Sequence, residues 1–213
     1  MKTEELIAKL AAEPAPAPAA SLERRAGLGV LAGGVVAIAL FFAVLGLRPD
    51  LPAHMAEPVT LMKTVLPLGL AALLLPAVMH AARPGVPLGW TAWLAVAVPV
   101  AAVALFVWAF ATAAPGERLT LFIGHSIPVC LPTIPVLAMP ILAGLVYALR
   151  RGAPEHPRVC GALAGLAAGG LATTTYSLFC TEDSPLFYAT WYSLAILVVA
   201  GLGAWAGKRY LRW

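Results

Sequence analysis

Apolar positions along this chain come in long unbroken runs separated by short stretches of charge, Pro or Gly. A hydrocarbon core about 30 Å thick takes roughly 20 apolar residues per helix. Six runs reach that length: 27–47, 59–82, 90–114, 127–149, 159–179 and 187–206. Lys63 is the only formal charge inside these limits. It lies near one end of the second run, where its long stem is expected to carry the ammonium to the headgroups. The first run has 21 residues, longer than a secretory h-region. Arg48 and Asp50 follow it with no clear small-residue cleavage site, so it reads as a retained helix.

Ahead of the first run the pattern is different. Thr3 is suited to cap a helix, Glu4 and Glu5 to its positive end, and Leu6, Ile7, Leu10 and Ala11 share one face, with Lys9 and Glu13 paired i,i+4 beside it. Such a helix of about ten residues is too short to be stable alone in water. The Pro-Ala alternation at 14–20 is an extended spacer of roughly 3 Å per residue. The apolar face therefore needs an outside surface, which is either the bilayer or a groove on a cytoplasmic partner. A plain disordered tail is the bland alternative. Few cations flank the face, which weakens the lipid option.

Composition sharpens this picture. Charged residues make up 11% of the 213 positions, against roughly 25% in soluble proteins. Apolar residues make up 61%, and the mean hydropathy is +0.88. A soluble enzyme is excluded. The net charge of +4 comes from short basic clusters between apolar runs, not from a stripe on a helix face, so no direct nucleic-acid contact is expected. Counted on alternate sides of six spans, Lys and Arg number eleven against three. The positive-inside rule then places both termini in the cytoplasm. Trp90, Trp191, Tyr192, Tyr210 and Trp213 fit an interfacial aromatic belt, with packing inside the bundle an equal reading for Trp191 and Tyr192.

The fold class that follows is an all-α integral membrane protein: a six-transmembrane-helix bundle with both termini cytoplasmic and a short N-terminal amphipathic helix. Residues 1–26 form the cytoplasmic helix and linker, 27–207 the transmembrane domain, and 208–213 a basic cytoplasmic tail. Gly161, Gly165 and Gly169, Gly29 with Gly33, and Gly203 with Gly207 repeat every four residues, the spacing of close helix packing within one bundle, with dimerisation the weaker reading. Pro128, Pro132, Pro135 and Pro140 fall in the fourth run. They predict an interrupted hydrogen-bond ladder and a kinked, partly open outer end.

The chain has no P-loop, dinucleotide fingerprint or HExxH pattern, and no mid-span carboxylate or His of the kind that marks an ion pathway. No cofactor is expected. Cys130 lies twenty residues before Arg150, and Cys180 twenty-two after Arg158. At 1.5 Å per residue both stand roughly 30 Å above the cytoplasmic layer, on the outer face. The short link between Arg150 and Arg158 makes the two spans neighbours. Cys160, two residues past Arg158, belongs to the opposite face.

Three readings of the outer pair stand side by side. The thiols can be oxidised on the outer side of a bacterial inner membrane. They can form a transient soft-metal site that His125, Glu182 and Asp183 are placed to complete. Or each is simply a small buried apolar residue. Glu182 and Asp183 read most simply as a polar loop, and Cys160 as a buried residue without a role.

The whole chain resembles the NrsF-like six-span anti-sigma factors of proteobacteria. The resemblance rests on Met1-Lys-Thr-Glu-Glu-Leu-Ile7, Arg48-Pro-Asp-Leu51, Cys130-Leu-Pro-Thr-Ile-Pro135, Arg150-Arg-Gly-Ala-Pro154 and the Gly161 to Gly169 run. Cys180-Thr-Glu-Asp-Ser-Pro185, followed by Phe187 and Trp191-Tyr192, is its most specific stretch. The resemblance implies a multi-pass inner-membrane protein that holds an extracytoplasmic-function sigma factor until heavy-metal or oxidative stress releases it. It also implies that Cys130 and Cys180 are the sensing pair; the amphipathic helix with Leu6, Ile7 and Leu10, together with the basic inner loops, is the expected partner-binding element. The rival class is a membrane thiol-disulfide oxidoreductase using the same cysteines, although redox catalysts commonly use CxxC pairs and none occurs here. A structural scaffold is the third class.

Overall fold

The structure is a computed structural model that describes residues 3–12 and 20–212. Among them all regular structure is helical. A short helix α1 (Thr3–Ala12) comes first, followed by α2 (Ala20–Val44), α3 (Leu51–Met55), α4 (Pro58–Ala81), α5 (Trp90–Ala95) and α6 (Ala97–Thr112). The chain continues through α7 (Arg118–Ile123), α8 (Ile127–Leu149), α9 (Pro157–Ser177) and α10 (Pro185–Tyr210). Six candidate spans are long and apolar enough to cross a membrane: α2, α4, α5 with α6, α7 with α8, α9, and α10. The spacer from Pro14 and the terminal Trp213 lie outside the described residues, as do the side chains of Leu6, Leu10 and His54.

Local chemistry sets the helix ends. Pro lies in the first turn of α4, α8, α9 and α10, where its missing N–H costs no ladder bond. The Ser184 hydroxyl, at the N-cap of α10, accepts from the Leu186 N–H. α2 stops where Gly46 takes φ 75°, its N–H closing back on the Phe41 carbonyl. α2 also begins seven residues before the first apolar run, so Glu23, Arg24 and Arg25 are helical. The third span is broken at Val96. Pro99 has no N–H for the Ala95 carbonyl, and Val96 tightens onto Trp93 instead.

The fourth span departs from expectation. α8 is one helix from Ile127 to Leu149 with Pro132, Pro135 and Pro140 inside it, and its N-terminal end is closed: Cys130 and Ile134 are fully buried. In an apolar layer an unwound segment would leave more backbone groups unpaired than the three prolines do. Packing against α2, α9 and α10 holds the helix continuous through them.

Close backbone approach organises the bundle. A Cβ built on Gly161 would collide with the Gly203 carbonyl, and one on Gly165 would lie 2.5 Å from the Val199 oxygen, so α9 and α10 meet backbone to backbone. Gly29 faces Gly144 and Gly33 faces Pro140 in the same way, which seats α2 on α8. The glycine spacing thus serves packing within one chain, where contact is driven by dispersion and not by water. α9 is the most enclosed span and the α5–α6 pair the least.

The inter-helix segments collect at two ends. At one end the Arg48 N–H bonds the Leu178 carbonyl and the Trp191 indole bonds the Phe122 carbonyl. At the other the Ala153 N–H bonds the Ala82 carbonyl, and the Gly85 N–H the Glu155 carboxylate.

Gly161→Ala is expected to destabilise the bundle by about 1–3 kcal/mol, the usual cost of overpacking. Gly34→Ala, at a glycine with nothing within 4 Å, is expected to be neutral or up to about 1 kcal/mol stabilising through helix propensity. Thermal unfolding of the two purified variants in one detergent compares them directly.

Candidate functional site

At the end of the bundle formed by the 45–57, 113–126 and 178–184 segments, a buried ionic cluster encloses the start of the most specific sequence motif. Arg48 and Lys63 are only 6% and 3% exposed. Lys63 Nζ donates to Asp183 Oδ1 at 2.5 Å and to the Cys180 carbonyl at 2.7 Å. Arg48 Nη1 reaches the same two acceptors at 2.9 and 3.1 Å, while Nε and Nη2 fork onto Asp50 at 2.8 and 3.0 Å. Two cations from different parts of the chain therefore converge on one carboxylate and one backbone oxygen. The hydrogen bond to Asp50 raises the Arg48 pKa, against the opposing pull of burial, with Asp183 adding to the rise. Burial pushes the Asp183 carboxyl upward, but hydrogen bonds and charge from Arg48 and Lys63 outweigh it and hold the group below its ordinary value.

This corrects two sequence expectations. Lys63 does not reach out to the headgroups but turns inward, because a carboxylate at the same depth offers it a charge-assisted bond inside the bundle. Nor is Asp183 simply part of a polar loop. Glu182 is structured too: its Oε1 accepts from the His125 N–H at 2.7 Å and from the Ser126 hydroxyl at 3.3 Å, tying the start of α8 to the 178–184 segment. Gly124, at φ 54°, leaves no room for a Cβ beside that carboxylate.

Beneath the ions lie the cysteines. Cys130, on the first turn of α8, and Cys180, just past α9, are 0% and 2% exposed and belong to one apolar core with Tyr176, Phe187, Tyr188 and Tyr192. The Tyr176 and Tyr192 rings meet edge to face at 5.9 Å. Their hydroxyls lie beside the Cys180 sulfur, are buried, and make no hydrogen bond of ordinary geometry among the described residues. Such a polar lining around two free thiols gives them nearby donors in an otherwise apolar setting. Cys160 is also buried, in the first turn of α9 at the opposite end of that helix.

His125 exposes 93% of its side chain and stands 3.9 Å from Glu182, while the Asp183 carboxylate is occupied by the two cations. Among the described residues no three His, Cys, Asp or Glu side chains gather into a group suited to hold a metal ion. On α1, Ile7 is exposed. Sequence reasoning missed Arg48, Lys63 and the two tyrosines. A lysine inside a span and a carboxylate beside a motif cysteine were the available signal, since a charge at that depth demands a partner.

Compared with known proteins, the chain matches the family described as NrsF, negative regulator of sigma F, over residues 10–213. It is 39% identical to the "Anti-sigma-F factor NrsF" of Caulobacter vibrioides (strain NA1000 / CB15N), with all of both chains covered. It is 36% identical, again over all of both chains, to the "Probable anti-sigma-F factor NrsF" of Azospira oryzae (strain ATCC BAA-33 / DSM 13638 / PS). Both relatives are named as regulators, not as enzymes. No solved structure matches.

Asp183→Asn leaves two buried cations short of their shared anion and is expected to cost about 3–5 kcal/mol at neutral pH. Because the folded-state pKa of Asp183 lies below the unfolded one, its contribution is fully present above about pH 4 and is lost as pH falls through the folded value. Unfolding midpoints of the wild-type protein in detergent should therefore hold between about pH 7 and 5 and drop below about pH 4. In Asp183→Asn that acid-dependent component should be absent.

Proposed function

The chain belongs to the NrsF family of negative regulators of sigma F, an anti-sigma factor with a multi-pass helical body, and on that premise we propose how it works. It holds an extracytoplasmic-function sigma factor at the bacterial inner membrane, with both termini in the cytoplasm and the end carrying Cys130 and Cys180 facing outward. The apolar face of α1, with Leu6, Ile7 and Leu10, is the sigma-binding element. Heavy-metal or oxidative stress acts on Cys130 and Cys180, by a disulfide or by transient metal ligation, and the sigma factor is released.

The observation that carries this reading is the placement of Cys130 and Cys180, fifty positions apart in the chain, as free and buried thiols at the same end of the bundle, next to the ionic cluster that holds the Cys180 carbonyl. Neither thiol is open to solvent. A reagent that modifies them must enter a packed core and change how α8, α9 and α10 fit together, which suits a sensor better than a turnover catalyst. His125 and Glu182, side by side at the start of α8, are the auxiliary ligands proposed for a metal, with Asp183 available only if its cations move away.

The fold also supplies an exit for the signal. α2 leads from the spacer after α1 and lies chiefly on α8, with a minor contact to α9. The outer turn of α8 carries Cys130, and its inner half carries Pro140 and Gly144, seated on Gly33 and Gly29 of α2. A shift of α8 at the thiols is thereby passed to α2 and to the spacer. A stimulus moves the equilibrium only by its differential binding to the two bundle states. A coupling of about 3 kcal/mol changes sigma affinity by about 100-fold.

Deleting residues 1–13 is expected to make the sigma-dependent genes constitutive while the protein still reaches the membrane. Unchanged repression would remove α1 from the binding role. Cys130→Ser and Cys180→Ser are each expected to keep the sigma factor bound after oxidant or heavy-metal exposure that empties the wild-type protein. Co-purification from native membranes before and after exposure reads both.

A further inference from the structure

We infer that Lys63 and Arg48 are positioning residues for Cys180: they hold its main-chain carbonyl and the Asp183 carboxylate as one locked unit, so that the thiol cannot change place without unseating a buried cation of the second span. The inference deepens the reading of Cys180 as a sensor and rests on it.

Both cations bond the backbone oxygen of the cysteine itself, Lys63 at 2.7 Å and Arg48 at 3.1 Å. Both also bond the same oxygen of Asp183, three residues on. The segment between α9 and α10 is therefore clamped at two points, with Cys180 at one and Asp183 at the other. A further backbone bond, from the Arg48 N–H to the Leu178 carbonyl, pins its start. The cations belong to separate elements. Lys63 is in α4, and Arg48 is in the turn between α2 and α3.

The lysine gives the clamp two states. Lys63 sits inside an apolar helix, and its ammonium is neutral to its surroundings only while Asp183 and the Cys180 oxygen are in place. If Cys180 is drawn toward Cys130, or its sulfur takes a bulky ligand, the 180–183 segment moves and the cation loses its acceptors. Its flexible four-carbon stem then lets it swing toward the headgroup layer, where a lysine at that position of a span would otherwise rest. α4 is thereby informed of the state of the thiol. Arg48, forked onto Asp50, stays paired in either state.

The test measures the reactivity of Cys180 alone. In full-length protein carrying Cys130→Ser and Cys160→Ser, purified in detergent, the rate of alkylation by a water-soluble maleimide is compared among Lys63→Met, Lys63→Arg, Asp183→Asn and the parent. Lys63→Met and Asp183→Asn are expected to raise the rate by about tenfold or more, as for a group released from a closed position. Lys63→Arg, which keeps a cation able to make charge-assisted bonds to Asp183 and the Cys180 carbonyl, should stay within about threefold of the parent. In cells with both sensor cysteines intact, Lys63→Met should release the sigma factor without stimulus. Alkylation of intact membranes before solubilisation gives the same comparison for any variant that does not survive purification. A Lys63→Met rate equal to the parent's, or equal acceleration by Met and Arg, overturns the clamp. Release of the sigma factor that proceeds normally in Cys180→Ser overturns the sensor reading instead, and leaves the alkylation rates to decide the clamp by themselves.

Discussion

A cation inside an apolar helix bundle must be neutralised where it stands, and that requirement arranges one whole end of this molecule. Lys63 has an aspartate and a carbonyl for this purpose, and Arg48 shares both. Satisfying these two residues brings the α2–α3 turn, the start of α4 and the segment between α9 and α10 to one point. The desolvation of each charge is offset by short hydrogen bonds to an anion in a low-dielectric setting, and the balance fails if either partner is absent. Ionic clusters of this kind add little net stability compared with an apolar core of equal volume. Their effect is to tie the three segments to one arrangement, that in which both cations reach the shared acceptors.

The rest of the bundle rests on a different rule. In lipid, helices gain nothing from expelling water against one another, so they associate where their backbones come closest. The α9–α10 and α2–α8 seams are of this type, with Gly facing Gly across both. The two seams have different consequences. α9 is surrounded by α4, α8 and α10 and serves as the fixed member, whereas α2 is held chiefly by α8. A helix with one principal neighbour follows that neighbour. α2 is also the helix that leads from the N-terminal segment, so the proposed route from the thiols to a binding element ahead of α2 runs along this asymmetry.

Burial of the thiols suits a regulator. A free cysteine in a closed apolar core reacts slowly, and its reaction product does not fit the space it came from. The tyrosine hydroxyls beside Cys180, buried and without ordinary hydrogen bonds, are groups a modified sulfur would meet at once. In the proposed mechanism the polar groups on one side and the apolar packing on the other both bear on the state of that one atom.

The sequence by itself determined the number and approximate limits of the spans, since a run of twenty apolar residues has no other stable use. It also determined the short helix at 3–12, the close-packing role of the glycines and the shared depth of Cys130 and Cys180, which follow from periodicities of 3.6 residues and a rise of 1.5 Å per residue. Those are one-dimensional properties. Which charge pairs with which is not, and the tertiary structure decided it. Lys63 points inward because Asp183, 120 residues away in the chain, arrives at its depth. Arg48 is buried because its fork fits two carboxylates at once. The prolines of α8, which read locally as a break, lie in a continuous helix because three neighbouring helices enclose it. In each case a long-range partner supplied an energy that exceeds the local preference, and no window of the sequence contains both halves of that interaction.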